Sequence, residues 1–111
     1  MSLDHTLSAL ADPTRRAIFQ RLSGGEARVT DVAERFPISL NSVSKHIRVL
    51  ERAGLVHRRV AGREHLLTAD RRPLDELAAW VEQTRAFWSS RLDALEALLA
   101  AEDDPECKEQ P

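Results

Sequence analysis

Residues 39–56 read SLNSVSKHIRVLERAGLV, and the fold turns on how that stretch is read. Val43, Ile47 and Leu50 keep the i, i+4, i+7 spacing of an amphipathic helix. On a wheel of about 100° per residue, Ile47 and Leu50 fall within about 40° of Val43. The far side carries Asn41, Lys45, Arg48 and Arg52, flanked by Ser42 and Ser44. Ser39 suits the N-cap, and Ala53-Gly54 closes the helix. One face holds the helix to a core. The other stays basic and rich in hydrogen-bonding groups.

Toward the N-terminus, Leu3, Leu7 and Leu10 space a first helix over 3–10. Asp12-Pro13 restarts the chain, with Asp12 as cap and Pro13 at the first helical position. This second helix turns Ile18, Phe19 and Leu22 inward and stops at Gly24-Gly25. Arg28-Val29 reads as a short extended link. Thr30 is the expected cap of a third helix, Asp31 to about Arg35, with Val32, Ala33 and Phe36 inward and Pro37 ending it.

Toward the C-terminus, residues 55–60 alternate as a strand, Ala61-Gly62-Arg63 turns, and residues 64–68 return. Pro73 starts a long last helix in which Leu74, Leu77, Val81, Thr84, Trp88, Leu92, Leu95 and Leu99 recur at three- and four-residue steps. Over residues 74–100 it would extend about 40 Å, too far to bury both ends against so small a body. The stripe is therefore expected to seal against the same helix of a second copy. Residues 101–111, AEDDPECKEQP, read as a disordered acidic tail. The expected fold class is mainly α with a small β-hairpin: a winged helix-turn-helix of five helices and a two-stranded wing, in one domain over 1–100.

A chain of 111 residues supports one modest core. Its single cysteine, Cys107, excludes an internal disulfide framework, and the acidic residues around it disfavour a reactive thiolate. No apolar run approaches bilayer length and the start lacks signal-peptide character, so the chain reads as cytoplasmic. The net charge of −2 conceals segregation. Residues 39–72 hold eight basic residues (Lys45, Arg48, Arg52, Arg58, Arg59, Arg63, Arg71, Arg72) against three acidic ones, whereas residues 73–111 hold three against ten. A polyanion meets the local field, so double-stranded DNA is the expected partner. Asn41, Ser42, Ser44 and Lys45, with Ser39 at the helix start, are the candidates to read base edges. Arg48 is placed for a phosphate, and His46, at the edge of the buried face, for either task. Arg58 and Arg59 are expected on phosphates, and Arg63 at the hairpin tip on a phosphate or in the minor groove.

Residues 10–69 strongly resemble the ArsR family of bacterial winged-helix regulators. The resemblance is carried by Ala11-Asp12-Pro13-Thr14-Arg15-Arg16, Val43-Ser44-Lys45-His46, Ala53-Gly54-Leu55-Val56 and Gly62-Arg63. The last helix, with Trp80, Phe87-Trp88 and Arg91-Leu92-Asp93-Ala94-Leu95, looks like a metal-independent subgroup. The resemblance implies a homodimeric repressor whose first and last helices form the dimer interface, here Leu3 and Leu7 with Leu77, Val81, Thr84, Trp88, Leu92 and Leu95. Arsenic sensors of the family carry two cysteines where this chain has Arg28 and Thr30, and the last helix holds no histidine. Neither a thiolate site nor a zinc site is expected, and no cofactor.

Two other classes stay open. The chain could be a ligand- or metal-sensing derepressor, released from DNA by an effector held near Trp80 and Trp88, or a winged-helix protein-interaction module. An enzyme is not expected: there is no phosphate-cradling glycine loop and no nucleophile with a neighbouring base.

Overall fold

A computed structural model describes residues 2–103. The order is α1 (Leu3–Ala11), α2 (Pro13–Ser23), β1 (Ala27–Arg28), α3 (Val29–Ala33), α4 (Leu40–Arg52), β2 (Val56–Ala61), β3 (Glu64–Ala69) and α5 (Arg72–Asp103). The described residues up to Leu77 form one compact unit, and those from Ala78 onward form a second. Among the described residues, no helix is long and apolar enough to cross a membrane.

The corner between α1 and α2 follows from six consecutive residues. Asp12 accepts the backbone N–H of Arg15 at 3.0 Å, and Pro13 occupies the first helical position. The last four carbonyls of a helix have no partner within it. Here Arg15 donates to the carbonyls of Ala9 (2.8 Å) and Ser8 (2.9 Å), and Arg16 to those of Leu10 (2.8 Å) and Ala11 (3.2 Å). The two arginines thus finish the helix before their own and set their positive charge against its negative end. What α1 buries is Thr6 and Ala9, two small residues that let it approach closely, while Leu7 stays 43 % exposed.

Ile18, Val32, Val43, Ile47, Leu50, Leu55 and Leu67 are completely buried and make the centre of the core. The apolar stripe of α4 supplies three of them, so this helix packs against α1, α2, α3 and β2.

The sheet has three strands, in the order β1-β3-β2, all antiparallel. The expected two-stranded wing is the β2–β3 hairpin, and β1 joins it as a third strand where an unpaired link was expected at Arg28-Val29. Ala27 and Arg28 pair with Leu67 and Leu66, and two residues are too few to show alternation in a sequence. This pairing also displaces the expected cap of α3. Arg28 is held extended (φ −76°, ψ 151°), so the helix begins at once with Val29, and Thr30 falls inside its first turn. Arg28 makes no side-chain cap bond; its guanidinium instead reaches Asp31 of that turn, at 2.9 and 3.0 Å.

α5 begins at Arg72, one residue before the buried Pro73. It ends at Asp103, three residues beyond the expected boundary, because Ala100, Ala101 and Glu102 are good helix formers. At 32 residues it extends about 48 Å. Cys107 and the rest of the expected tail lie outside the described residues.

Candidate nucleic-acid interface

The interface is assembled on α4, whose cap comes first. The Ser39 hydroxyl accepts the backbone N–H of Ser42 at 3.1 Å and donates to the Ser42 hydroxyl at 3.0 Å. Both serines therefore spend hydrogen-bonding capacity on holding the first turn. Asn41, Lys45 and Arg48 are exposed, and Ser44 is half-buried on the flank facing the hairpin. His46 is turned the other way. Its Nδ1 lies 3.4 Å from the Arg15 guanidinium and 3.9 Å from the Asp12 carboxylate, which ties α4 to the α1–α2 corner. Asp12 is held below the usual carboxylate range by the Arg15 backbone N–H, aided by the charges of His46 and Arg15.

The hairpin joins Ala61 to Glu64 through Gly62 and Arg63. Gly62 has φ +65° and stands first of the two turn residues, the place where a two-residue hairpin loop of the II′ kind needs glycine. Arg63 is thereby carried to the tip. Strand alternation sends Arg58 and Arg59 to opposite faces of the sheet. Arg58, opposite the buried Leu67, points toward α4. It donates to Glu51 at 2.8 and 3.4 Å and lies 3.1 Å from Nδ1 of His65. Arg59 donates to both carboxylate oxygens of Glu26, at 3.0 and 3.2 Å. On the same face as Arg59, Arg28 reaches Glu64 at 3.1 Å.

These pairs redistribute the charge expected for residues 39–72. Arg58 is bound to Glu51, Arg59 to Glu26, Arg71 to Asp75 and Arg72 to Asp70. Asp70 also accepts the Arg72 backbone N–H at 2.9 Å and lies 2.7 Å from Nε2 of His57. The Arg72 guanidinium, then its backbone N–H, then His57 hold the Asp70 carboxyl well below the usual carboxylate range. Among the described residues, Lys45, Arg48, Arg52 and Arg63 form no ion pair. Three of these four lie on α4 and the fourth at the hairpin tip. Between them runs a groove of about 260 Å³, lined by Val29, Leu40, Ser44, Arg58, Arg63 and His65 among others.

Sequence reasoning missed Glu26 and Glu51 as partners of the hairpin arginines. Arg59 and Glu26 are 33 residues apart and meet only because β1 docks on the sheet. Arg58 and Glu51 are seven apart, but the turn at Ala53-Gly54 lies between them, so no helical or strand spacing links them.

In α5, Val81, Trp88, Leu92, Leu95 and Leu99 are exposed. Thr84 donates its hydroxyl to the Trp80 carbonyl at 2.8 Å. Phe87 meets Trp88 edge to face with centroids 6.1 Å apart, and the Arg91 guanidinium lies 4.9 Å from the Phe87 ring centre.

Comparison with known proteins matches this arrangement. Residues 10–59 fit the family model of a helix-turn-helix domain. The chain is 37% identical over 103 residues to the HTH-type transcriptional regulator Rv2034 of Mycobacterium tuberculosis, covering 93% of this chain and 94% of that one. It is 39% identical over 54 residues to the transcriptional repressor SdpR of Bacillus subtilis, covering 49% of this chain and 60% of the repressor. A crystal structure of an ArsR family transcriptional regulator, RHA00566, superposes with a TM-score of 0.76 at 38% identity, covering 79% of this chain and 91% of that one. An ArsR-like regulator from Rhodococcus sp. RHA1 gives 0.78 at 31% identity, covering 86% and 91%. The chain belongs to the ArsR family of winged helix-turn-helix transcriptional regulators and is a DNA-binding protein, not an enzyme.

Proposed function

We propose that the protein works in the cytoplasm as a homodimeric repressor, acting on its own gene among others, and binds an inverted-repeat operator. The observation that carries the reading is the placement of the four cations of residues 39–72 that form no ion pair among the described residues, three on α4 and one on the hairpin tip. α4 enters the major groove with Asn41, Ser44 and Lys45 at base edges and Arg48 on a phosphate. Ser39 and Ser42 hold the first turn, and any base contact they make uses the capacity left by the cap. His46 positions α4 from behind. Arg63 reaches the minor groove or a flanking phosphate. Arg58 and Arg59 reach phosphates only by sharing or leaving their carboxylates.

Two copies join through a stripe of α5 in which Val81, Trp88, Leu92 and Leu95 are exposed and Leu77 and Thr84 half-buried, together with Leu3 and Leu7 of α1. Burying such a stripe removes several large side chains from water, at about 25 cal/mol per Å². The twofold axis then sets two α4 helices about 34–36 Å apart, one turn of B-DNA. Residues 1–100 act as one DNA-binding and dimerisation domain.

The test is fluorescence anisotropy of the full chain on its own upstream DNA and on a scrambled duplex, at two salt concentrations. A preference of about a hundredfold or more, falling with salt, is expected. Equal, weak binding to both duplexes would refute the repressor reading for that promoter. Sedimentation of the free protein should give a dimer that Leu92→Asp dissociates. A monomer that footprints a single half-site would refute the dimer.

A further inference from the structure

We propose that Leu40 reads the 5-methyl group of a thymine in the major groove, which makes it a specificity-determining residue of the DNA interface. The inference rests on the reading that the face of α4 bearing Lys45 and Arg48 meets DNA.

Leu40 is the first residue of α4 and is 52 % exposed. The apolar flank of the helix is completely buried at Val43, Ile47 and Leu50, but at the first turn that flank extends past the core. Leu40 therefore projects into the groove between α4 and the hairpin, beside Val29, Ser44 and Arg63. It is the one large apolar side chain of α4 that stands exposed; the other exposed residues of that helix are polar or charged. The cap does not require it, because Ser39 supplies the cap bond.

A lone exposed leucine ordinarily needs no explanation. This one stands where uncommitted cations draw in a polyanion, at the helix end that sits deepest in a major groove. A DNA major groove offers one apolar group at its base edges, the thymine methyl, which carbon-rich side chains contact directly. Leu40 and that methyl are matched in chemistry, and Ser44, one turn further on the same flank, is placed for the hydrogen bonds of a neighbouring base.

The experiment uses the full-length protein. A duplex is selected with it from a random pool, and each dT of the selected site is replaced in turn by dU, which removes only the methyl. Affinities are measured for the wild type, Leu40→Ala and Leu40→Met. At one thymine per half-site the wild type should lose about fourfold, the worth of one buried methyl-sized group. Leu40→Met should respond as the wild type does, and Leu40→Ala should be indifferent to dU at that position alone. Unchanged melting temperatures for both variants would show that the fold is intact. If no dU costs the wild type more than Leu40→Ala, the assignment to Leu40 is wrong while DNA recognition stands. If no sequence is selected at all, the DNA-facing reading of α4 falls, and this inference with it.

Discussion

α4 and the β2–β3 hairpin are both basic in sequence, yet they hold their charge differently. Lys45, Arg48 and Arg52 of α4 stand without ion pairs among the described residues, whereas Arg58 and Arg59 of the hairpin are each held by a carboxylate. The two elements also differ in what anchors them. α4 is fastened by three completely buried side chains. The hairpin is fastened near its base by Val56 and Leu67, with the Arg58–Glu51 pair level with Leu67 and the Arg59–Glu26 pair one residue further out. A count of arginines therefore overstates how much of a basic segment a polyanion can use. Neighbouring carboxylates decide it, and a cation already paired adds little to counterion release.

The contrast can be broken most severely in stability. Leu50→Ala should cost about 2–5 kcal/mol in urea unfolding, the usual toll of a buried leucine. Val60→Ala, at a hairpin site 60 % exposed, should stay within about 0.5 kcal/mol. Similar losses at the two sites would mean that the hairpin is as deeply anchored as α4.

Next in size is base discrimination. Lys45→Ala or Asn41→Ala should lose about 1–3 kcal/mol of preference for the operator over scrambled DNA. An equal loss on both duplexes would move the residue from base reading to phosphate binding.

A smaller effect separates the paired from the unpaired arginines. Arg63→Ala should lower the slope of log affinity against log salt by about 1. Arg59→Ala should lower it by clearly less, since Glu26 already cancels that charge. Equal slopes would show that DNA opens the Arg59–Glu26 pair.

The smallest effect concerns the base of the hairpin. The Asp70 carboxyl is held below its ordinary value by Arg72 and His57. Its contribution to stability is full above the unfolded carboxylate value, about 3.9, and fades as pH falls toward the depressed folded one. The melting-temperature gap between wild type and Asp70→Asn should narrow as pH falls below about 4. A gap that persists undiminished to pH 3 would mean that the Asp70 charge contributes nothing.

Local signals carried most of the fold. Asp12-Pro13, Ser39 and Gly62 act within a few residues of themselves, so their caps and turn are legible without a partner. The stripe Val43-Ile47-Leu50 likewise announces its buried face through periodicity alone. The inner face of α1 was not legible in this way. Its leucines suggest packing, but Leu7 stands exposed and only Leu10 packs at the edge of the core, while Thr6 and Ala9 are the residues fully buried, because close helix approach favours small side chains.

By itself, the sequence determined the order of the helices, the cap of α4, the hairpin turn and the polar, basic face of α4, since each depends on backbone preferences and spacing within one element. Only the tertiary structure decided the rest. β1 exists because Leu66 and Leu67 present an edge to pair with, and α3 starts at Val29 because that pairing holds Arg28 extended. His46 turns away from the face of α4 that bears Lys45 and Arg48 because Asp12 and Arg15 stand behind it. Which arginines remain free depends on carboxylates that folding brings from as far as 33 residues away. Coulomb attraction acts on distance in space, and distance in space is what a linear sequence leaves unstated.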